Sequence, residues 1–212
     1  MKKSKTSIAL IIGHTPQKTG AKIVYNSLFS ATKTLPTSEF EFWSNILSKL
    51  DIYNLHQKLK KHTTVHELGD CIIYSASSLT NKIDFINQNV SRFQYFLEFH
   101  FNSGLAGTPH CLVMHRKDSK QKTIAKTLGQ VLCDNFSQLL QEYNRYVTVE
   151  LPDKNYGKKA LVENSDSSAN VFIIEPFFKE SIEKYHINLR AQNAIFHNMV
   201  IELIVALLNI NQ

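Results

Sequence analysis

Apolar and polar positions along this chain fall into short runs that alternate by two and longer runs that repeat at helical spacing. In FQYFLEFHFNS at 93–103, counting by two puts Tyr95, Leu97, Phe99 and Phe101 on one face and Phe96, Glu98, His100 and Asn102 on the other. The second face turns polar towards its C-terminal end, just before the turn residues Gly104 and Gly107. A buried strand is predicted here, delivering one histidine to its end. Residues 6–12, TSIALII, form a continuous apolar run rich in β-branched side chains, the pattern of a central strand covered on both faces, and the run stops at Gly13 and His14. NVFIIEPFF at 170–178 reads as another apolar strand that ends in Glu175, with Pro176 removing the next backbone donor. Residues 110–116, HCLVMHR, and 147–151 predict two further strands.

Between these runs the period lengthens. Ser38 followed three residues later by Glu41 is a capping-box pattern, so Ser38 is the expected N-cap of a helix reaching residue 50. On that helix Glu39 shares a stripe with Trp43, Ile46 and Leu50, whereas Glu41 lines up with Ser44, Asn45 and Ser48. Glu39 is therefore expected to face the core and Glu41 to serve the cap. Residues 121–140 carry Ile124, Leu128, Leu132 and Phe136 on one side of a helix, and a single long helix over 181–209 is expected to close the chain. From 51 to 90 the pattern is weaker: it predicts extended pieces at 63–68 and 71–75, a helix at 79–88, and surface positions for His56, His62 and His66. Residues 154–169, rich in Asn, Ser, Asp, Lys and Gly, read as a mobile loop. Strands alternating with helices predict an α/β fold with a mixed, mostly parallel, twisted sheet and helices on both faces.

Composition narrows the class. With 212 residues, 43% of them hydrophobic, and only 7 Gly and 5 Pro, the chain can bury one full core and contains no linker-like stretch, so a single domain over 1–212 is expected. The formal charge of +6 favours an anionic partner such as cell-wall polymer, a membrane surface or nucleic acid. Apart from Lys2, Lys3 and Lys5 and the cluster Lys58, Lys60 and Lys61, the basic residues are scattered without interleaved aromatics, so no nucleic-acid partner is expected. The three cysteines lack CxxC spacing, which argues against a disulfide framework and a thiolate metal site and for a reducing compartment of synthesis. The start MKKSKTSIALII has a basic head, but its apolar run is too short for a signal peptide and leads straight into Gly13 and His14; cytoplasmic synthesis is expected. Residues 199–210 are strongly apolar yet contain Glu202 and Asn209 and are too short to span a bilayer, so a buried helix is expected and no transmembrane segment.

The chemistry-bearing residues gather at one edge of the predicted sheet. His14 and His100 end two strands, Glu39 faces inward from the first turn of a helix, and Glu175 ends a third strand. In open α/β sheets ligands bind beyond the carboxyl ends of the strands. A buried carboxylate there is costly unless it is paired or bound to metal, although a first-turn acid that stays wet is the other reading of Glu39. Two histidines and one carboxylate are a ligand set for catalytic zinc that leaves a fourth position for water, and a further carboxylate nearby suits proton transfer in metal-assisted hydrolysis. The separations in sequence are long, so the residues alone leave open both a metal hydrolase and a set of structural residues.

The wording around these residues, IIGHTPQKTGA at 11–21, SEFEF at 38–42, FLEFHFNSGLAGTPHCLVMH at 96–115 and VFIIEPFF at 171–178, resembles in order the zinc-dependent N-acetylmuramoyl-L-alanine amidases of bacteria and their phages. The resemblance covers nearly the whole chain. It implies one zinc per chain on His14, Glu39 and His100, Glu175 as catalytic acid/base, and peptidoglycan as substrate, cut between N-acetylmuramic acid and the L-alanine of the stem peptide. Asn102, Lys158 and Lys159 are then candidates for gripping the substrate. Two positions depart from the pattern. The first loop reads His-Thr-Pro-Gln-Lys-Thr-Gly-Ala instead of a Gly-rich turn with an Asp, and Glu98 stands where a small Ser is common; Glu98 either orients a ligand or joins a buried structural ion pair. Without a visible wall-binding repeat or secretion signal, an endolysin that waits in the cytoplasm is the expected setting. The competing expectations are a zinc peptidase cutting within the stem and a non-catalytic basic protein that binds wall polymer or nucleic acid.

Overall fold

The apolar run that opens the chain is β1 (Lys5–Ile12), and its place in the fold follows from its composition. With both faces apolar it can be covered on both sides, and it pairs in parallel with β4 (Glu67–Tyr74) on one edge and β5 (Tyr95–Phe99) on the other. β5 pairs in parallel with β8 (Asn170–Glu175), β8 runs antiparallel to β6 (Cys111–Arg116), and β6 runs parallel to β7 (Tyr146–Leu151). The six-stranded order is β4-β1-β5-β8-β6-β7, a mixed, mostly parallel sheet, beside a small antiparallel pair of β2 (Lys22–Ile23) and β3 (Thr37–Ser38). This is a computed structural model, and it describes residues 5–20, 22–23, 37–51, 55, 59, 67–102, 109–153, 159–185, 187 and 192–210. His56, His62, His66, residues 63–66, Lys158, Gly104, Gly107 and the lysines at 2, 3, 58, 60 and 61 lie outside the described residues.

Alternation along the strands sorts the core onto the two faces of the sheet. Ile8, Leu10, Ile12, Tyr95, Leu97, Phe99, Phe172 and Ile174 are buried on one face with Trp43 and Ile46 of α1 (Glu39–Ser48), Leu128 of α3 (Ser119–Phe136) and Leu203 of α6 (Asn193–Ile210). Ala9, Ile11, Phe96, Val171 and Ile173 are buried on the other with Ile86 of α2 (Leu79–Asn89) and Leu161 and Val162 of α4 (Ala160–Asn164). α6 is long and apolar enough to cross a membrane by length and composition, and here Phe196, Met199, Val200, Leu203 and Leu207 are buried in the core.

Three expectations are corrected. In place of one helix over 181–209 there are α5 (Lys179–Lys184) and α6, with Tyr185 and Ile187 outside both. The Ile187 N–H donates to the Ile182 carbonyl, a six-to-one bond of the kind that closes a helix, and both isoleucines pack on the core, so the apolar period continues across a break in the backbone. The loop expected over 154–169 contains α4, whose Leu161 and Val162 are buried beneath a polar surround. The extended pieces foreseen at 63–68 and 71–75 meet, within the described residues, as the single strand β4.

Candidate metal centre

β1, β5 and β8 are adjacent and parallel, so their carboxyl ends open on one edge of the sheet. The chain just beyond them is tied together: Gly13 N–H donates to Phe99 O at 3.0 Å, and His100 N–H donates to Ile174 O at 2.8 Å. A Cβ on Gly13 would lie 2.1 Å from Phe99 O, so only glycine lets His14 leave the sheet at this point. His14 itself is held at φ 59°, the left-handed region that non-glycine residues seldom adopt and that recurs at functional sites. The following loop closes through reciprocal Thr15 and Lys18 backbone hydrogen bonds at 3.1 Å and is pinned to α1 by Phe40 N–H donating to Thr19 O.

Glu39 arrives from the opposite side, and the capping box sends it there. Ser38 is the N-cap, its hydroxyl accepts from Glu41 N–H at 3.2 Å, and Glu41 Oε2 accepts from Ser38 N–H at 2.9 Å. With Glu41 committed to the cap, Glu39 is left in the first turn on the buried stripe, 2% exposed. Its Oε1 accepts from Phe101 N–H at 2.9 Å and faces His100 Nδ1 at 2.8 Å, while Oε2 faces His14 Nε2 at 3.2 Å. The two imidazoles meet edge-on with centroids 4.9 Å apart.

Burial works against the Glu39 charge, but hydrogen bonds and charge from His100 and His14 prevail and hold its carboxyl at about 2. For Glu175 burial wins. Its neighbours His100 and Lys159 favour the carboxylate, Glu39 and Glu98 oppose it, and the carboxyl is pushed up to about 7. At that value it can exchange a proton near neutral pH, as an acid/base group must.

One donor atom from each of His14, Glu39 and His100 lies within 4.8 Å of the others. Two imidazole nitrogens and a carboxylate oxygen are the donor types zinc takes, and ligand atoms at about 2.0–2.1 Å from a tetrahedral ion sit about 3.3 Å from one another. His100 Nδ1 lies 2.8 Å from one Glu39 oxygen and His14 Nε2 lies 3.2 Å from the other, so one carboxylate stands between the two imidazole donors. Gly20 supplies an independent sign that the space is kept clear. At φ 75°, a Cβ there would lie 2.4 Å from His14 Cδ2 and 2.7 Å from Glu39 Oε2. The residues present fit a metal ion.

A pocket of about 460 Å³ opens over the group, lined among others by His14, His100, Glu175, Glu98, Lys82 and Lys159. Lys159, one of the lysines the sequence offered as a candidate substrate contact, lines this pocket. Asn102 has another setting: its N–H donates to Phe177 O and its carbonyl accepts from Lys179 N–H, extending the β5 and β8 pairing, and it lies outside the pocket lining.

No protein-family model matches the chain, and no curated protein matches it in sequence. Solved structures do. An N-acetylmuramoyl-L-alanine amidase from Clostridium difficile 630 superposes with TM-score 0.58 at 16% identity, covering 97% of each chain. The amidase AmiC2 of Nostoc punctiforme gives 0.60 at 12% identity over 98% of this chain and 99% of its own. The catalytic domain of CD27L, an endolysin targeting Clostridium difficile, gives 0.57 at 15% identity over 94% and 97%. This chain has the N-acetylmuramoyl-L-alanine amidase fold. Within that amidase fold, two residues went unread in the sequence, one that lines the pocket and one that holds α4. Lys82 is 2% exposed and donates to Glu98 Oε1 at 2.6 Å. The signal was available, since Lys82 shares the helical stripe of Leu79, Ile83 and Ile86, an inward-facing charge of the same kind that singled out Glu39. Arg116 reaches under α4 to donate to the carbonyls of Val162, Ser165 and Asp166, and nothing in the spacing of the sequence announces it.

Proposed function

We propose that this protein is a zinc-dependent N-acetylmuramoyl-L-alanine amidase that hydrolyses the amide between N-acetylmuramic acid and the L-alanine of the peptidoglycan stem. The observation that carries the reading is the grouping of the His14, Glu39 and His100 donors beside a pocket that His14 and His100 share with a buried Glu175 carboxyl raised to about 7. His14, Glu39 and His100 hold the ion. Bound there, zinc supplies Lewis acidity towards the amide carbonyl and lowers the pKa of water. Glu175 accepts the proton from the attacking water and returns it to the alanine nitrogen as the carbon–nitrogen bond breaks, so the same carboxyl serves as base and then acid. Lys159, on the pocket wall, is placed to meet substrate carboxylates. The likeness in fold to the catalytic domain of an endolysin supports a bacteriolytic role on the wall, in phage or prophage lysis or in wall turnover, with residues 1–212 as the catalytic domain.

The test combines metal content with product analysis. Purified protein should carry one zinc per chain, clear a peptidoglycan suspension, lose that activity to a chelator, and release intact stem peptides with a free L-alanine amine. Products cut within the stem would instead identify a peptidase. Glu175→Gln should cost roughly 100- to 10,000-fold in rate while zinc stays bound. Activity untouched by that change would leave a binding protein as the better reading.

A further inference from the structure

Resting on the zinc reading above, we propose that Lys82 and Glu98 form a buried positioning pair that presents His100 to the metal through Nδ1. His100 is bracketed by two carboxylates, one at each ring nitrogen: Nδ1 faces Glu39 Oε1 at 2.8 Å, and Nε2 faces Glu98 Oε2 at 3.0 Å. Nδ1 is the nitrogen turned towards Glu39 of the donor group, and Nε2 is turned away from it to Glu98. Glu98, an acceptor when ionised, holds the proton on Nε2 and so leaves the Nδ1 lone pair for the metal. A carboxylate that fixes the tautomer and ring angle of a metal-binding histidine also raises its basicity.

A lone carboxylate 4% exposed could not stay ionised cheaply, and this is where Lys82 enters. Its ammonium reaches the other oxygen, Oε1, at 2.6 Å, so each Glu98 oxygen has a separate partner. The burial of both partners, at 2% and 4%, removes the solvent screening that makes surface pairs weak. Lys82 projects from the stripe of α2 that packs on the sheet beside Ile86, and Glu98 stands on the sheet face towards that helix, two residues before His100. The pair therefore ties a surface helix to the metal edge through a single ring. It also offsets charge: Glu98 and Glu175 line the pocket beside Glu39 of the donor group, and Lys82 is a cation among these three carboxyls.

Two volume-matched neutral replacements separate positioning from simple packing. Lys82→Met with Glu98→Gln keeps an oxygen that can accept from His100 Nε2–H, whereas Lys82→Met with Glu98→Leu removes it; neither leaves a buried charge unpaired, so both should fold. Zinc affinity is measured by competition with a chelator, and the His100 ring nitrogens are observed by nitrogen-15 NMR in the zinc-loaded protein. Positioning predicts that the Leu double variant binds zinc roughly 10- to 100-fold more weakly and loses the single Nε2–H tautomer, while the Gln double variant stays within a few fold of wild type and keeps it. Equal zinc affinity in wild type and the Leu variant, with an unchanged His100 spectrum, overturns the pair's role and leaves the zinc site intact. A wild-type protein that takes up no zinc overturns the zinc reading itself and this inference with it.

Discussion

Glu39 and Glu175 have the same side chain, lie in the same site and are driven apart by their neighbours. Burial opposes ionisation in both; Glu39 touches two imidazoles and ends at about 2, whereas Glu175 receives too little compensation and ends at about 7. A carboxyl whose folded value lies above the ordinary 4.5 binds more protons folded than unfolded, so its contribution to stability is present below about 4.5 and is lost as pH rises through about 7. In protein kept metal-free with a chelator, Glu175→Gln should therefore gain on the order of 3 kcal/mol over wild type at about pH 8 and nothing below about pH 4.5. Urea titrations across that range check this, and a gain independent of pH would sink the assignment. The residue proposed to carry proton transfer thus costs the fold stability at neutral and higher pH, a trade recurrent at active sites. Gly20 makes a second residue-scale case. An alanine there must sit at φ 75° with its Cβ against His14 and Glu39 Oε2, so Gly20→Ala should fold, because the position is exposed, yet bind zinc at least about 10-fold more weakly by chelator competition.

At the scale of elements, what was legible in the sequence had a local cause. The capping box fixed the start of α1 to the residue and, by occupying Glu41, assigned the inward role to Glu39. The apolar runs of β1, β5 and β8 ended at the residues that reach the site, because period two and burial are both written in neighbouring positions. The closing helix and α4 were misread for the opposite reason, since each depends on contacts made elsewhere. α4 has five residues, too few to be stable alone, and Arg116 on β6 gathers the carbonyls at its C-terminal end at 2.6 to 2.9 Å. Arg116→Ala leaves those carbonyls without their charged donor and should cost about 2 kcal/mol of stability. Because α4 carries the pocket wall next to Lys159, amide exchange over 159–166 should accelerate by at least about tenfold, with KM affected more than kcat. Uniform acceleration across the whole sheet would instead mean that Arg116 supports the core rather than the wall.

At the scale of the molecule, the site joins segments that the chain keeps far apart: the loop after β1, the first turn of α1 and the end of β5. Sequence could nominate the residues of that assembly because each carried a local anomaly, a polar group on an apolar stripe or at the point where an apolar run stops. It could not supply the strand order, in which β6 enters antiparallel beside β8 and turns the carboxyl ends of β6 and β7 away from the site edge, because that order is decided by which faces cover one another. An ion held by three such segments binds the folded chain and finds no preformed site in the unfolded one, so binding must appear as stability. With free zinc at about 100 times its Kd the folded state gains about 2.7 kcal/mol, which for a chain of this length raises Tm by roughly 5–10 °C. His14→Ala should abolish the shift. Glu175→Gln should retain it in full while losing hydrolysis, so calorimetry with and without zinc on these two variants divides the holding of the ion from the movement of the proton. A shift that survives in His14→Ala would place the ion elsewhere in the fold and detach Glu175 from any metal-assisted role.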